Sequence, residues 1–236
     1  MTVRISRRPE DAPPPRVLDD EQLSKAHAIR DKYPNARSAT LPLLFLVQSV
    51  EGNVTDDGIR EVAEILGLTP AQVLATASFY SMLKEGPQGT YLVSVCRNIA
   101  CTHRGGRAIV RELAEHLGVE PGQTTDDGMF TLETAECLAT CDGAPTMQVN
   151  YEDFYDLTTE KAIDVVERLK RGEDVTAHRG ATVRSSREIS QETACAGLGW
   201  KLPRDGQEAR TIGGEVPPPD TAPGFRPKVP GKEEGS

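Results

Sequence analysis

The sequence predicts an α+β protein: an N-terminal helical bundle, then a small α/β domain with a mixed sheet, then an irregular C-terminal tail. Three observations carry this reading. Between residues 17 and 86 apolar residues recur at helical spacing behind repeated helix-start signals; from about Thr90 the pattern changes to strands alternating with helices; and beyond Gly172 the chain becomes rich in Pro and Gly. The boundaries that follow are a flexible, charged and Pro-rich arm over 1–16, a bundle over 17–86, an α/β domain over 87–172 and a tail over 173–236.

In the bundle, Asp19 and Asp20 open a helix that runs to about Tyr33, where Pro34 ends it. Ser38 and Thr40 are candidate caps for a second helix that takes Pro42 in its first turn and buries Leu43, Leu44, Leu46 and Val47. Thr55 opens a third, with Ile59, Val62, Ala63 and Leu66 at positions i, i+3, i+4 and i+7. Thr69, followed by Pro70, opens a fourth, AQVLATASFYSML, whose Phe79, Tyr80 and Met82 read as core. Short helices with brief loops pack as a bundle.

The α/β domain begins with TYLVSV at 90–95, an apolar run with β-branched residues that predicts a strand ending at Cys96. Residues 105–118 are amphipathic and helical, with His116 a solvated residue near the helix end; 129–137 alternate as a second strand ending near Cys137. Residues 144–150 and 153–158 suggest a hairpin, with a trans bond before Pro145, and 159–172 a helix closed by Gly172. In the tail, 7 Pro and 9 Gly among 64 residues predict a chain disordered by itself, with GLGWKLP around Trp200 its one apolar patch.

Composition excludes several functions. A formal charge of −9 argues against nucleic acid, since phosphate binding needs a basic surface. The basic N-terminus lacks the apolar segment of a secretory signal, and LPLLFLV at 41–47 is far short of the ~20 residues a membrane span needs. The chain is therefore expected to insert in no bilayer and to work in a reducing compartment, where paired cysteines serve more often as metal ligands or redox groups than as structural disulfides.

The chemistry lies in the cysteines. Cys96 and Cys101 form C-x4-C; after 35 intervening residues Cys137 and Cys141 form C-x3-C, each pair on a loop after a strand. Four soft sulfurs suit an iron-sulfur cluster or zinc. The spacing favours a 2Fe-2S cluster, in which each iron takes two thiolates, over a zinc knuckle, with a redox-active disulfide pair the third alternative. Arg97, Asn98, His103 and Arg104 flank the first pair, as does the start of the 105–118 helix; they can offer donors and positive charge or simply solvate the loop. Cys195 reads as an ordinary free thiol. Neither a G-x-G-x-x-G after a strand nor a Walker loop is found, so nothing points to nucleotide or flavin binding by this chain.

On CRNIAC at 96–101, ECLATCDGAP at 136–145 and ATASFYSML at 75–83, the sequence resembles the family of E-type 2Fe-2S subunits of the NADH dehydrogenase module of NADH-quinone oxidoreductase (respiratory complex I). The resemblance covers about residues 17–172. It implies a thioredoxin-like fold for the α/β domain, one 2Fe-2S cluster, and Cys96, Cys101, Cys137 and Cys141 as its ligands. It also implies an F-type flavoprotein subunit that holds FMN and the NADH site, a G-type large iron-sulfur subunit, and a place on the cytoplasmic side of the cell membrane as a peripheral subunit. Similar subunits serve NAD-linked hydrogenases and formate dehydrogenases. A zinc-stabilised interaction module is the alternative of another class.

Overall fold

The structure, a computed structural model, describes residues 16–178 and 181–198. The arm over 1–15 and Trp200 with the rest of the tail lie outside the described residues.

Helix α1 (Asp20–Asp31) starts from a capping box in which Asp19 and Gln22 each accept from the other's backbone N–H. Helix α2 (Thr40–Glu51) departs from expectation at its start: a 3-10 turn over Ala36–Ala39, capped by Asn35, feeds straight into it without a side-chain cap. Leu43, Leu44, Leu46 and Val47 are fully buried, which makes α2 the axis of the bundle. Helix α3 (Asp56–Leu66) is capped by Thr55, and α4 (Pro70–Ala77) by a Thr69–Gln72 capping box. Helix α4 stops well before Leu83. After Ala77 the chain closes into tight turns, Phe79 N–H donating to the Thr76 carbonyl and Leu83 N–H to that of Tyr80. Leu83 turns into the core while Phe79, Tyr80 and Met82 stay exposed, Phe79 at 79%. The aromatic pair expected in the core is therefore on the surface.

The second half is a four-stranded sheet in the order β2-β1-β3-β4: β1 (Tyr91–Cys96), β2 (Phe130–Ala135), β3 (Met147–Val149) and β4 (Glu152–Phe154). Strand β1 runs parallel to β2 and antiparallel to β3, and β3 pairs antiparallel with β4. Helices α5 (Ile99–His103) and α6 (Gly106–Leu117) make the crossover from β1 to β2; α7 (Thr159–Lys170) follows the hairpin. Val93 and Val95 point with Ile109, Leu113, Val165, Val166 and Leu169 into the core of this half. Because side chains alternate along a strand, Leu92, Ser94 and Cys96 face the other way. On that side Glu133 accepts from Ser94 Oγ at 2.6 Å and pairs with Lys84 Nζ at 3.0 Å, while the Lys84 backbone bonds Gln48 and Val54 of the bundle. Lys84 thus ties the two halves together.

His116 is not simply solvated: its Nε2 lies 2.8 Å from Glu167 Oε1 on α7. That hydrogen bond, helped by the charge of Lys170, holds the Glu167 carboxyl below the usual carboxylate range. A carboxyl depressed by folding contributes stability above its unfolded value, about 4.3, and loses it as pH falls through the lower folded value. Glu167→Gln is expected to flatten the acid limb of thermal stability below about pH 5, read as melting midpoint against pH.

The segment expected to be irregular from residue 173 is instead folded as far as Leu198 wherever it is described. Val175, Ala177 and Val183 enter the core of the sheet domain, and Thr176 bridges Thr182. Helix α8 (Ser186–Ala194), begun by a Ser185–Glu188 capping box, lies along α2. Buried Gln48 donates to Ser190 Oγ at 3.0 Å, and Arg187 donates to the Val50 and Glu51 carbonyls at the α2 C-terminus, where a cation is favoured.

Candidate metal centre

The four predicted cysteines arrive from two neighbouring chain reversals. Cys96 is the last residue of β1, in register with Ala135 at the end of β2; Cys137 follows two residues later. The parallel pairing of β1 with β2 is what brings the two reversals to one end of the sheet. Cys101 sits on α5, which Asn98 starts by accepting from Ile99 N–H at 2.6 Å. Cys141 opens a 3-10 turn over Cys141–Gly143 that leads through Ala144 and a cis Pro145 to β3.

The pairs differ in exposure: Cys96 and Cys101 are buried, Cys137 and Cys141 exposed, and all are free thiols. Cys96 Sγ lies 3.9 Å from the Glu136 carbonyl and Cys101 Sγ 3.6 Å from Thr146 Oγ1. Cys137 Sγ accepts from Ala139 N–H at 3.3 Å, in a loop where Ala139 takes a left-handed φ of 59°. The Cys141 thiol is pushed up, first by its hydrogen bond with Cys137 and the charge there, then by desolvation and the charge of Cys101 and Cys96. The Cys141 sulfur therefore lies within electrostatic reach of the other three. Among the described residues no group of three or more His, Cys, Asp or Glu side chains closes to the spacing of a bound metal ion.

The donor set fits a metal cluster chemically. Thiolates gathered at one place repel one another, and a bound cationic metal core would offset that repulsion. Arg97 and Arg104 offer little spare charge to the site. Arg97 is ion-paired with Glu136, and Arg104 lies 3.9 Å from Asp156. His103 is exposed at the end of α5. Backbone packing is tight: a Cβ on Gly106, the first residue of α6, would stand 2.9 Å from the Cys101 carbonyl oxygen and 3.0 Å from that of Cys96. Only glycine lets α6 start against both cysteine carbonyls. Gly106→Ala is expected to lower stability by roughly 1–3 kcal/mol by forcing β1 and α5 apart, with a fall in both melting midpoint and bound iron.

Sequence reasoning placed all five cysteines but read Cys195 as an ordinary tail thiol. It is buried at the end of α8 in the bundle core, and burial pushes its thiol up. Sequence reasoning missed α5, and it missed Thr140, whose Oγ1 is buried without a hydrogen-bond partner among the described residues.

The fold and the four thiols define an α+β protein built round a sulfur-rich centre at one end of a mixed sheet. The chain belongs to the thioredoxin-like 2Fe-2S ferredoxin family, which it matches over residues 26–170, and it carries one 2Fe-2S cluster accordingly. It is 44% identical over 194 residues to the E-type subunit of NADH-quinone oxidoreductase from Mycobacterium tuberculosis, covering 82% of this chain and 76% of that one. It is 38% identical over 153 residues to NADH-quinone oxidoreductase subunit 2 of Thermus thermophilus, covering 63% of this chain and 83% of that one. A solved NAD+-reducing NiFe hydrogenase aligns over 58% of this chain and 24% of its own at 22% identity and a TM-score of 0.49, a likeness that adds nothing to the functional reading. Among the described residues no helix is long and apolar enough to cross a membrane.

Proposed function

We propose that this chain is the 2Fe-2S electron-transfer subunit of an NADH:quinone oxidoreductase, with Cys96, Cys101, Cys137 and Cys141 holding the cluster. The observation that carries the reading is the gathering of four free thiols on two adjoining reversals at one end of the sheet, in a chain of a 2Fe-2S family. The cluster, when bound, takes up and returns a single electron. Cys96 and Cys101 anchor its protein side, and the exposed Cys137 and Cys141 mark the side on which electrons are exchanged. The partner is an F-type flavoprotein subunit, whose FMN receives the hydride from NADH, together with a G-type large iron-sulfur subunit. The assembly lies on the cytoplasmic side of the cell membrane. The names of the relatives, both subunits of an NADH-quinone oxidoreductase, support the presence of partner subunits.

Metal and sulfide analysis of the purified chain tests the reading. Two irons and two sulfides per chain, with a rhombic paramagnetic signal on reduction, support it; one zinc and no iron overturns it in favour of a zinc-held interaction module. Exposed Phe79, packed edge-on against Tyr80 and followed by exposed Met82, is an apolar feature that a partner subunit would cover. Phe79→Ser is expected to leave iron content and melting midpoint unchanged while weakening co-purification with the flavoprotein about tenfold or more, as expected for an aromatic anchor.

A further inference from the structure

Thr140 stands between two of the four cysteines, and its surroundings give its hydroxyl no partner. Cys137, Ala139 and Cys141 around it are exposed, yet Thr140 Oγ1 is closed to solvent and makes no hydrogen bond among the described residues. Leaving a buried hydroxyl unpaired is costly, and folded proteins seldom do so. The same loop already turns one donor toward sulfur, the Ala139 N–H that reaches Cys137 Sγ at 3.3 Å. On the buried side another hydroxyl, Thr146 Oγ1, stands 3.6 Å from Cys101 Sγ. Two of the four cysteine sulfurs thus already have a donor or hydroxyl beside them.

We infer that Thr140 is a positioning residue for the cluster, its hydroxyl donating a hydrogen bond to a cluster sulfur, either a ligating thiolate or a bridging sulfide, and raising the cluster's reduction potential. The inference rests on the function proposed above. Reduction adds negative charge to the sulfurs, so a donor aimed at one of them stabilises the reduced form more than the oxidised form. The nearby cations do not supply that effect, because Arg97 is ion-paired with Glu136 and Arg104 faces Asp156. A neutral hydroxyl shut away from water can supply it, alongside the Ala139 amide and the Thr146 hydroxyl.

The test uses the full-length chain with its cluster loaded. Iron and sulfide content is measured first on wild type, Thr140→Val and Thr140→Ser, and the midpoint potential of each is then read by paramagnetic resonance during a mediated redox titration. Two irons per wild-type chain uphold the underlying function; a wild type without iron sinks that function, whatever Thr140 does. With the cluster in place, Thr140→Val is expected to shift the midpoint downward, by up to about tenfold in the reduced-to-oxidised ratio at fixed potential, or ~59 mV for a one-electron couple. Thr140→Ser, which keeps the hydroxyl, is expected to return it to the wild-type value. A fully loaded valine variant at the wild-type potential overturns the inference, as does a shift that serine shares. Should the valine methyl block iron loading, Thr140→Ala removes the hydroxyl without that bulk, and the same two outcomes decide.

Discussion

A chain ending at residue 180 is expected to lose its cooperatively folded bundle, whereas a chain ending at residue 198 is expected to melt like the full-length protein. The difference between the two is α8 and its approach. Helix α2 is apolar around most of its circumference, with Leu43, Leu44, Leu46 and Val47 at zero exposure, and such a helix needs cover on every side. Helices α1, α3 and α4 provide part of that cover and α8 provides the rest. The shorter chain also loses Val183 from the sheet core, Ala194 and Cys195 from the bundle core, the Gln48–Ser190 hydrogen bond and the Arg187 contacts at the end of α2. Each newly exposed large aliphatic side chain costs about 1.5–3 kcal/mol, and a few of them rival the whole ~5–15 kcal/mol that holds a domain folded. Circular dichroism melts of the two truncations decide the matter. Equal midpoints would mean that α8 is a dispensable appendage.

The α8 segment also shows where the sequence was legible and where it was not. Every one of the seven Pro beyond residue 172 lies at or after Pro203, so averaging composition over 173–236 hid a proline-free stretch that folds. The signal was present locally, in the Ser185–Glu188 spacing of a capping box before a helical run. Thr55 and the Thr69–Gln72 pair were legible because a cap bonds residues only three positions apart. Helix α5 escaped because five residues are too few to show a period, although Asn98 marks its start. Phe79 and Tyr80 continue the helical pattern of α4 on paper; their exposure is set by Leu83 and Lys84, which turn the chain toward the sheet, a contact distant in sequence. The cysteine spacing announced a shared centre, but the placing of β1 between β2 and β3, which gathers the two reversals, depends on a crossover that local patterns do not encode. Nor could spacing say that one pair of thiols is buried and the other exposed.

That asymmetry predicts how the four cysteines part company when each is replaced by serine. Every one of the four substitutions is expected to abolish stable loading of two irons, because serine lacks the soft sulfur that iron-sulfur clusters require. The metal-free variants are expected to divide. At Cys96 or Cys101 the new hydroxyl is buried among Ala144, Leu138 and Ala100, where sulfur behaves as a small hydrophobe and oxygen does not. The cost is about 1–3 kcal/mol, with a lower melting midpoint for the metal-free chain. Cys101 has Thr146 Oγ1 near enough to pair with a hydroxyl, so its penalty is expected to be the smaller of the two. At Cys137 or Cys141 the hydroxyl faces water and the metal-free midpoint is expected to match wild type. Since a cluster that binds only the folded chain stabilises it by mass action, chelation should lower the wild-type midpoint and leave all four variants unmoved. Wild-type iron content in any one serine variant would remove that cysteine from the ligand set, and equal metal-free midpoints across all four would remove the buried and exposed division on which the direction of electron exchange was argued.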